Sequence, residues 1–269
     1  MIDQVLTPRK RFRSRLGMRI DPAMPILGLR DVILTDFEFD FHSHPRGQLA
    51  YAASGVIKVF TDSGSWVVPP SQAVWIPGGI RHSVNPEVTS EIRHLFIDPS
   101  CLARFPKECS VVEVSPLLRE LISRVSDFGE QYDAESPASR ICAVILDELQ
   151  ALKPSLLHLP AATDRRVRRI MQGMIAQPSA ENGLTFWAAK VGASERTLSR
   201  LFIKETGMTF QQWRKQLLLH EAINRLGKGE PVTHVALELG YRSSSAFVAM
   251  FRKALGISPG QYFRIQSQG

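Results

Sequence analysis

One short helical unit is written twice in this chain, and that repeat constrains the fold more than any other feature. Leu184, Trp187, Ala188 and Val191 are followed by Gly192; 48 residues later Val232, Val235, Ala236 and Leu239 are followed by Gly240. Beyond the glycine, Leu198, Leu201, Phe202, Lys204 and Gly207 match Phe247, Met250, Phe251, Lys253 and Gly256 at an offset of 49, as Gln212-Trp213 matches Gln261-Tyr262. Steps of three, one and three put each apolar set on one face of a helix. The glycine permits the positive φ of a tight turn, so each unit reads as helix, turn, helix. Ser194 can cap the second helix of the first unit, and Ser243 or Ser244 that of the second. Between the units, Phe210, Trp213, Leu217, Leu219, Ala222, Ile223 and Leu226 predict one helix over residues 209–227. About 18 residues at 1.5 Å rise span ~27 Å, a spacer suited to two helices that enter successive major-groove faces ~34 Å apart.

Charge divides along the same line. Residues 161–269 hold 16 Lys and Arg against 7 Asp and Glu, whereas residues 1–160 hold 17 against 19. Six of those 17 lie in an arm from Arg9 to Arg19, which we expect to be disordered. A basic domain joined to a slightly acidic one suits binding of a polyanion. In the second helix of the first unit, Leu198, Leu201 and Phe202 face inward and leave Arg196, Ser199 and Arg200 outside. Arg at i and i+4 on an exposed helix suits major-groove entry, where a guanidinium can bond guanine or phosphate.

The first half is β-rich. Ile33, Phe37, Phe39 and Phe41 partly alternate with polar residues over 32–41. Short runs at 48–53, 56–60, 66–68, 73–76 and 91–97 follow, broken by Asp62-Ser63-Gly64-Ser65, Pro69-Pro70 and Pro77-Gly78-Gly79. Many short strands at close spacing predict a small barrel or sandwich. Two helices follow, one with an apolar stripe from Val114 to Phe128, the other opened by Pro137 with a stripe at Ile141, Val144, Ile145, Leu149 and Leu152. The second stripe serves either a buried core or a dimer interface. No run approaches ~18 consecutive apolar residues, which excludes a membrane-spanning helix. The basic arm is not followed by the apolar stretch of a signal peptide. Three cysteines, Cys101, Cys109 and Cys142, lack CxxC spacing and argue against a disulfide framework. Together these features point to the cytoplasm.

His42-Ser43-His44, Gln48 and Pro77-Gly78-Gly79-Ile80-Arg81-His82 form a possible binding constellation. On a strand, residues two apart share a face, so His42 and His44 point together. Three imidazoles and a side-chain oxygen suit a divalent first-row transition metal at His42, His44, Gln48 and His82. The same residues, with Tyr51 and Trp75, are candidates for an effector pocket; His94 either faces the same pocket or is an ordinary strand residue, and the latter is the preferred reading.

This pattern resembles the two motifs of cupins, with Gln48 where metal-binding cupins usually carry Glu. Residues 163–266 resemble the DNA-binding domain of the AraC family of bacterial transcription regulators, through the duplicated unit and the stretch Gly240-Tyr241-Arg242-Ser243, Phe247, Phe251-Arg252-Lys253, Gly256-Ile257-Ser258-Pro259 and Tyr262. The resemblance implies an α+β two-domain chain. A basic arm (1–22) would lead into a cupin-like double-stranded β-helix barrel with a helical extension (23–155), for sensing and dimerisation. An all-α domain with two helix-turn-helix units (163–269) would follow. It implies base contacts from Arg196, Ser199 and Arg200 in the first unit and from Ser244, Ser245, Val248 and Ala249 in the second, with Lys204, Arg242, Arg252 and Lys253 on phosphates. The expected partners are double-stranded DNA, a small-molecule effector, RNA polymerase and a second copy of the chain, with no membrane. The alternative is a metal-dependent cupin enzyme, a dioxygenase or isomerase, with a DNA-binding tail; a third reading is a constitutive DNA-binding protein whose barrel binds nothing.

Overall fold

The computed structural model describes residues 15–34, 39–69, 72–86, 89–128, 132–133, 135–151, 154–155, 157–178 and 182–262. Phe37, Pro70, Leu152 and the arm before Arg15 lie outside the described residues. The chain divides into two compact units. One holds the residues up to Thr61 together with Trp66–Leu157; the other holds Asp62–Ser65 and the residues from His158 on. No described helix is long and apolar enough to cross a membrane.

The first unit is built of antiparallel strands. Its larger sheet runs β1 (Ile26–Ile33), β7 (Ser90–Ile97), β2 (Gly47–Ser54), β5 (Gln72–Ile76), β8 (Ser110–Glu113) and β9 (Pro154–Ser155) in that order. A second sheet contains β4 (Gly64–Val68), β3 (Ile57–Thr61) and β6 (His82–Pro86). The strand expected over 32–41 is displaced: β1 begins at Ile26 and ends at Ile33. β6 and β8 are strands that the turn signals did not reveal.

The two faces of the larger sheet have different uses. Leu49, Tyr51, Trp75, Leu95 and Ile97 point to one side and pack with helices α2 (Pro116–Ser126) and α3 (Pro137–Gln150). Cys142, Ile145 and Leu149 of α3 are buried there, and Ile141 and Leu146 pack against them, so these members of its apolar stripe belong to the core while Val144 is exposed. Ser115 and Ser136 cap the two helices, each followed by Pro in the first turn. Gln48 and His94 point to the other side. Their strands align Ala50 opposite His94, and with a period of two Gln48 and Ala50 share that face.

Part of the basic arm is ordered. Arg15–Met18 form a helical turn, α1, and Leu16 packs with Leu27 and Phe96. The buried Arg46 guanidinium donates to the carbonyls of Arg19, Met24 and Phe96 and pairs with Asp98 at 3.2 Å, both side chains almost fully buried. The expectation of disorder therefore fails for Arg15–Arg19, because this cation collects backbone acceptors that would otherwise stay bare.

The second unit begins with β10 (His158–Pro160) and is otherwise helical: α4 (Arg165–Ala176), α5 (Leu184–Val191), α6 (Glu195–Thr206), α7 (Phe210–Gly227), α8 (Val232–Glu238) and α9 (Ser244–Leu255). The repeat is carried into three dimensions. Gly192 and Gly240 both adopt positive φ, 66° and 81°, which L side chains resist. Phe202 contacts Trp213, and the equivalent Phe251 contacts Tyr262, the latter edge-on at 5.5 Å. Thr209 and Gln212 form a capping box at the start of α7, and Ser258 and Gln261 exchange the same bonds 49 residues later. The Gln-Trp and Gln-Tyr matches in the sequence are thus a cap residue beside a core aromatic. Each such buried aromatic contributes about 1.5–3 kcal/mol by leaving water.

Candidate nucleic-acid interface and histidine cluster

In the first unit of the helical domain, Ser194 caps α6 by accepting from the Thr197 amide, as Ser243 caps α9 by accepting from Ala246. Leu198 and Phe202 are buried, and Arg196, Ser199, Arg200 and Lys204 are exposed on the opposite side. At its far end α6 is fastened to the start of α4: the Glu205 carboxylate accepts from the Thr163 amide and hydroxyl at 2.8 and 2.6 Å and from the Asp164 amide at 3.0 Å. These bonds hold the Glu205 carboxyl below its ordinary range. The helix that presents the arginines is therefore pinned at both ends.

The equivalent face of α9 exposes Ser245 and Ala249, with Ser244 and Val248 half-buried. Its cations come later, at Arg252 and Lys253, and Arg242 precedes the helix; all three are exposed. Among the described residues, Arg196, Arg200, Lys204, Arg242, Arg252 and Lys253 make no ion pair, so their charge is not neutralised within the domain. Arg225, by contrast, is held by Glu221, Glu230 and Glu238. Sequence reasoning passed over Arg165, Arg168 and Arg169, three exposed cations in the first half of α4. The dense run of arginine there was a usable signal.

The barrel's polar residues converge inside it. His42 pairs with His82 as a backbone bridge, with N–O distances of 2.9 and 2.8 Å. The Gly79 amide donates to the His44 carbonyl, and Gly78 lies so close to the Pro45 carbonyl that any Cβ there would collide. That close approach brings the two motifs together. The Nδ1 atoms of His42, His44 and His82 each sit 2.8–3.0 Å from a backbone carbonyl two residues away, at Asp40, Arg46 and Ile80. A carbonyl only accepts, so each Nδ1 carries the proton. Burial keeps His44 and His82 neutral: it lowers the His44 pKa and pushes that of His82 down to about 3. The Nε2 atoms of His44 and His82 then carry lone pairs.

Those lone pairs meet Gln48. Its Oε1 lies 2.8 Å from His44 Nε2 and 3.0 Å from His82 Nε2, and its Nε2 lies 2.9 Å from His94 Nδ1. The other His94 nitrogen faces Asp31 at 3.8 Å. Burial lowers the His94 pKa to about 3 and raises that of Asp31 to about 6. His94 is therefore part of the cluster rather than an ordinary strand residue. A cavity of about 30 Å³, enough for on the order of two waters, lies among Asp31, Phe39, His42, Gln48, His94 and Phe96.

Tyr51 and Trp75 do not belong to this pocket. Tyr51 is three residues from Gln48 along β2 and so points to the opposite face. Trp75 pairs with Leu49, stacks on Phe105 and donates its indole N–H to the Pro106 carbonyl at 3.0 Å.

A β-barrel domain with an inward polar pocket, followed by duplicated helix-turn-helix units with free exposed cations, defines a DNA-binding regulator with an N-terminal ligand-binding domain. Comparison with known proteins agrees. The AraC-like ligand binding domain family matches residues 29–177 and a helix-turn-helix domain family matches residues 187–265. The HTH-type transcriptional regulator NimR of Escherichia coli K12 is 41% identical over 221 residues, covering 82% of this chain and 81% of that one. The HTH-type transcriptional activator RhaS of Escherichia fergusonii is 26% identical over 168 residues, 62% of this chain and 60% of its own. The structure of ToxT from Vibrio cholerae covers 88% of this chain and 96% of its own at 13% identity, with a TM-score of 0.38, too low to add weight. The chain belongs to the AraC family of transcription regulators. These relatives are regulators and not enzymes, which removes the alternative of a cupin dioxygenase or isomerase with a DNA-binding tail.

Proposed function

We propose that this regulator distinguishes its operator chiefly through α6 and uses α9 mainly to hold position on the duplex. The observation that supports this is the contrast between the two equivalent helix faces: Arg196, Ser199 and Arg200 on one, Ser245, Val248 and Ala249 on the other. Guanidinium groups can make bidentate contacts to guanine, whereas Ser, Val and Ala offer short reach and contacts to thymine methyls. Lys204, Arg242, Arg252 and Lys253 supply phosphate contacts, and Ser244 at the start of α9 joins Ser245, Val248 and Ala249 against the bases. In the sensory half, the pocket around His42, His44, Gln48 and His82 takes a small effector that binds two states of the regulator unequally and so alters DNA affinity. Two copies act together as a homodimer in the cytoplasm, with Leu117 on α2 and Val144 on α3 the exposed apolar residues nearest that role, and the DNA-bound regulator acts on RNA polymerase. The test is selection of operator sequences from a random pool by the full chain and by Arg200→Ala. Loss of preference within one half of the site, with the other half unchanged, is the expected result; an unchanged selected sequence overturns the assignment to α6.

A further inference from the structure

Taking the barrel pocket as the effector site proposed above, we propose that its ligand is a small organic cation, an amine or amidine, whose N–H groups pair with the Asp31 carboxylate. Strand register puts this carboxylate inside the barrel. Leu29 lies opposite His94, so with a period of two Leu29, Asp31 and Ile33 of β1 share the inward face with His94. Arg30, one residue away, takes the other face and bonds Glu91 at 3.0 Å. Arg93, opposite Arg30, turns the same way and bonds Glu91 at 2.9 Å. Asp31 is left lining the cavity of about 30 Å³, with its side chain only 16% exposed.

Among the described residues, nothing donates a hydrogen bond to this carboxylate. His94 Nε2 stands 3.8 Å away, beyond bonding distance. Burial raises the Asp31 pKa to about 6 and no neighbouring cation counters it, so the group is desolvated yet still largely ionised at neutral pH. An unpaired charge in such a place is costly, and a ligand that brings the missing partner recovers that cost on binding. The rest of the lining narrows the choice. Among the described residues, no Lys or Arg lines the cavity, so an anion would face the Asp31 charge with no counter-ion. The His42 Nδ1–H is taken by the Asp40 carbonyl, and Gln48 is held between His44, His82 and His94. His94 is neutral, its pKa pushed down to about 3 by burial. A ligand here meets one negative charge and no free cation, so it must donate. Phe39 and Phe96 are among the apolar walls that suit its carbon frame.

Acetamidinium, acetamide and acetate share one planar frame and differ in charge: positive, neutral and negative. Each is titrated into the full-length chain near neutral pH and at constant ionic strength, because DNA affinity varies with salt. The His42 and His94 ring signals are followed by NMR, the barrel's thermal midpoint by calorimetry and operator affinity by anisotropy. Acetamidinium should bind saturably, raise the midpoint and bind at least about tenfold more tightly than acetamide, with no binding of acetate. Asp31→Asn, nearly the same in shape, should cancel the preference for the cation. That variant should melt no lower than the native chain near neutral pH, because it removes an unpaired buried charge, so its loss of binding is not a loss of fold. Acetamide or acetate binding as tightly as acetamidinium, no saturable binding of acetamidinium, or an undiminished preference in Asp31→Asn overturns the pairing at Asp31. The effector reading fails separately: acetamidinium bound through Asp31 with unchanged operator affinity supports the cation site and overturns its role as the sensor.

Discussion

The two domains put polar side chains to opposite use. The barrel hides its polar groups: His44, Arg46, Gln48, His82, His94 and Asp98 are all buried. The helical domain buries Trp187, Phe202, Trp213, Phe247 and Phe251 with only His220 and Asn224 as buried polar side chains among its described residues, and displays arginine and lysine outside. A hidden charge or imidazole must be satisfied by its neighbours, so altering it disturbs the fold. A displayed cation has little structural duty and is free to meet a partner. Stability and binding should therefore respond to different substitutions in the two halves.

The largest separation is expected at arginine. Arg46→Ala removes the cation paired with the buried Asp98 carboxylate and the donor to the carbonyls of Arg19, Asp21, Met24 and Phe96, and should lower the stability of the barrel by about 3–5 kcal/mol in urea unfolding. Arg200→Ala should stay within about 0.5 kcal/mol in the same measurement. Equal losses would erase the distinction.

Acid should be the next discriminator. In the metal-free chain, His82 and His94 stay neutral down to about pH 3, and His44 titrates below its ordinary pKa of 6.5. Unfolded, all three take up protons as the pH falls below 6.5, so the stability held above that point is lost on acidification. Asp31 works the other way: with its pKa raised from 3.8 to about 6, it favours the folded state at low pH. Three groups outweigh one. The barrel should lose on the order of 1–3 kcal/mol per pH unit between pH 6 and 5. A barrel transition in thermal melts that does not move over that interval would mean that the imidazoles are not buried neutral.

Binding should reverse the ranking. Arg196→Ala and Arg200→Ala should each weaken operator binding by about 1–3 kcal/mol in fluorescence anisotropy, with most of the loss specific to sequence. Ser245→Ala should cost less than either. The smallest effect is expected at the phosphate candidates: removing Lys204, Arg252 or Lys253 should reduce the slope of log affinity against log salt by about 0.9 each, whatever the sequence. A sequence-dependent loss at Arg252 would move base reading into the second unit.

The helical domain was largely legible in the sequence because its information is local. Helix faces, turn glycines and caps all act within a few residues, and the repeat supplied a second copy of each. In the barrel, legibility followed distance along the chain. His42, His44 and Gln48 were found from neighbouring positions, and strand parity would also have separated Tyr51 from Gln48. His94 was named but ranked wrongly, because its role depends on β7 lying beside β2, a pairing between positions 46 residues apart. The Arg46–Asp98 pair was invisible for the same reason: nothing near either residue announces the other.

The main chain, rather than any side chain, fixes the tautomers of His42, His44 and His82. No single substitution among their neighbours can exchange a carbonyl for another group. Heredity is thus left with one easily varied member of the cluster, at position 48. Glutamine and glutamate codons differ by a single base, and the two side chains have nearly the same shape but differ by a full charge. A lineage carrying this barrel can move between a neutral amide and an anionic carboxylate at this position in one step, with the three imidazoles in place.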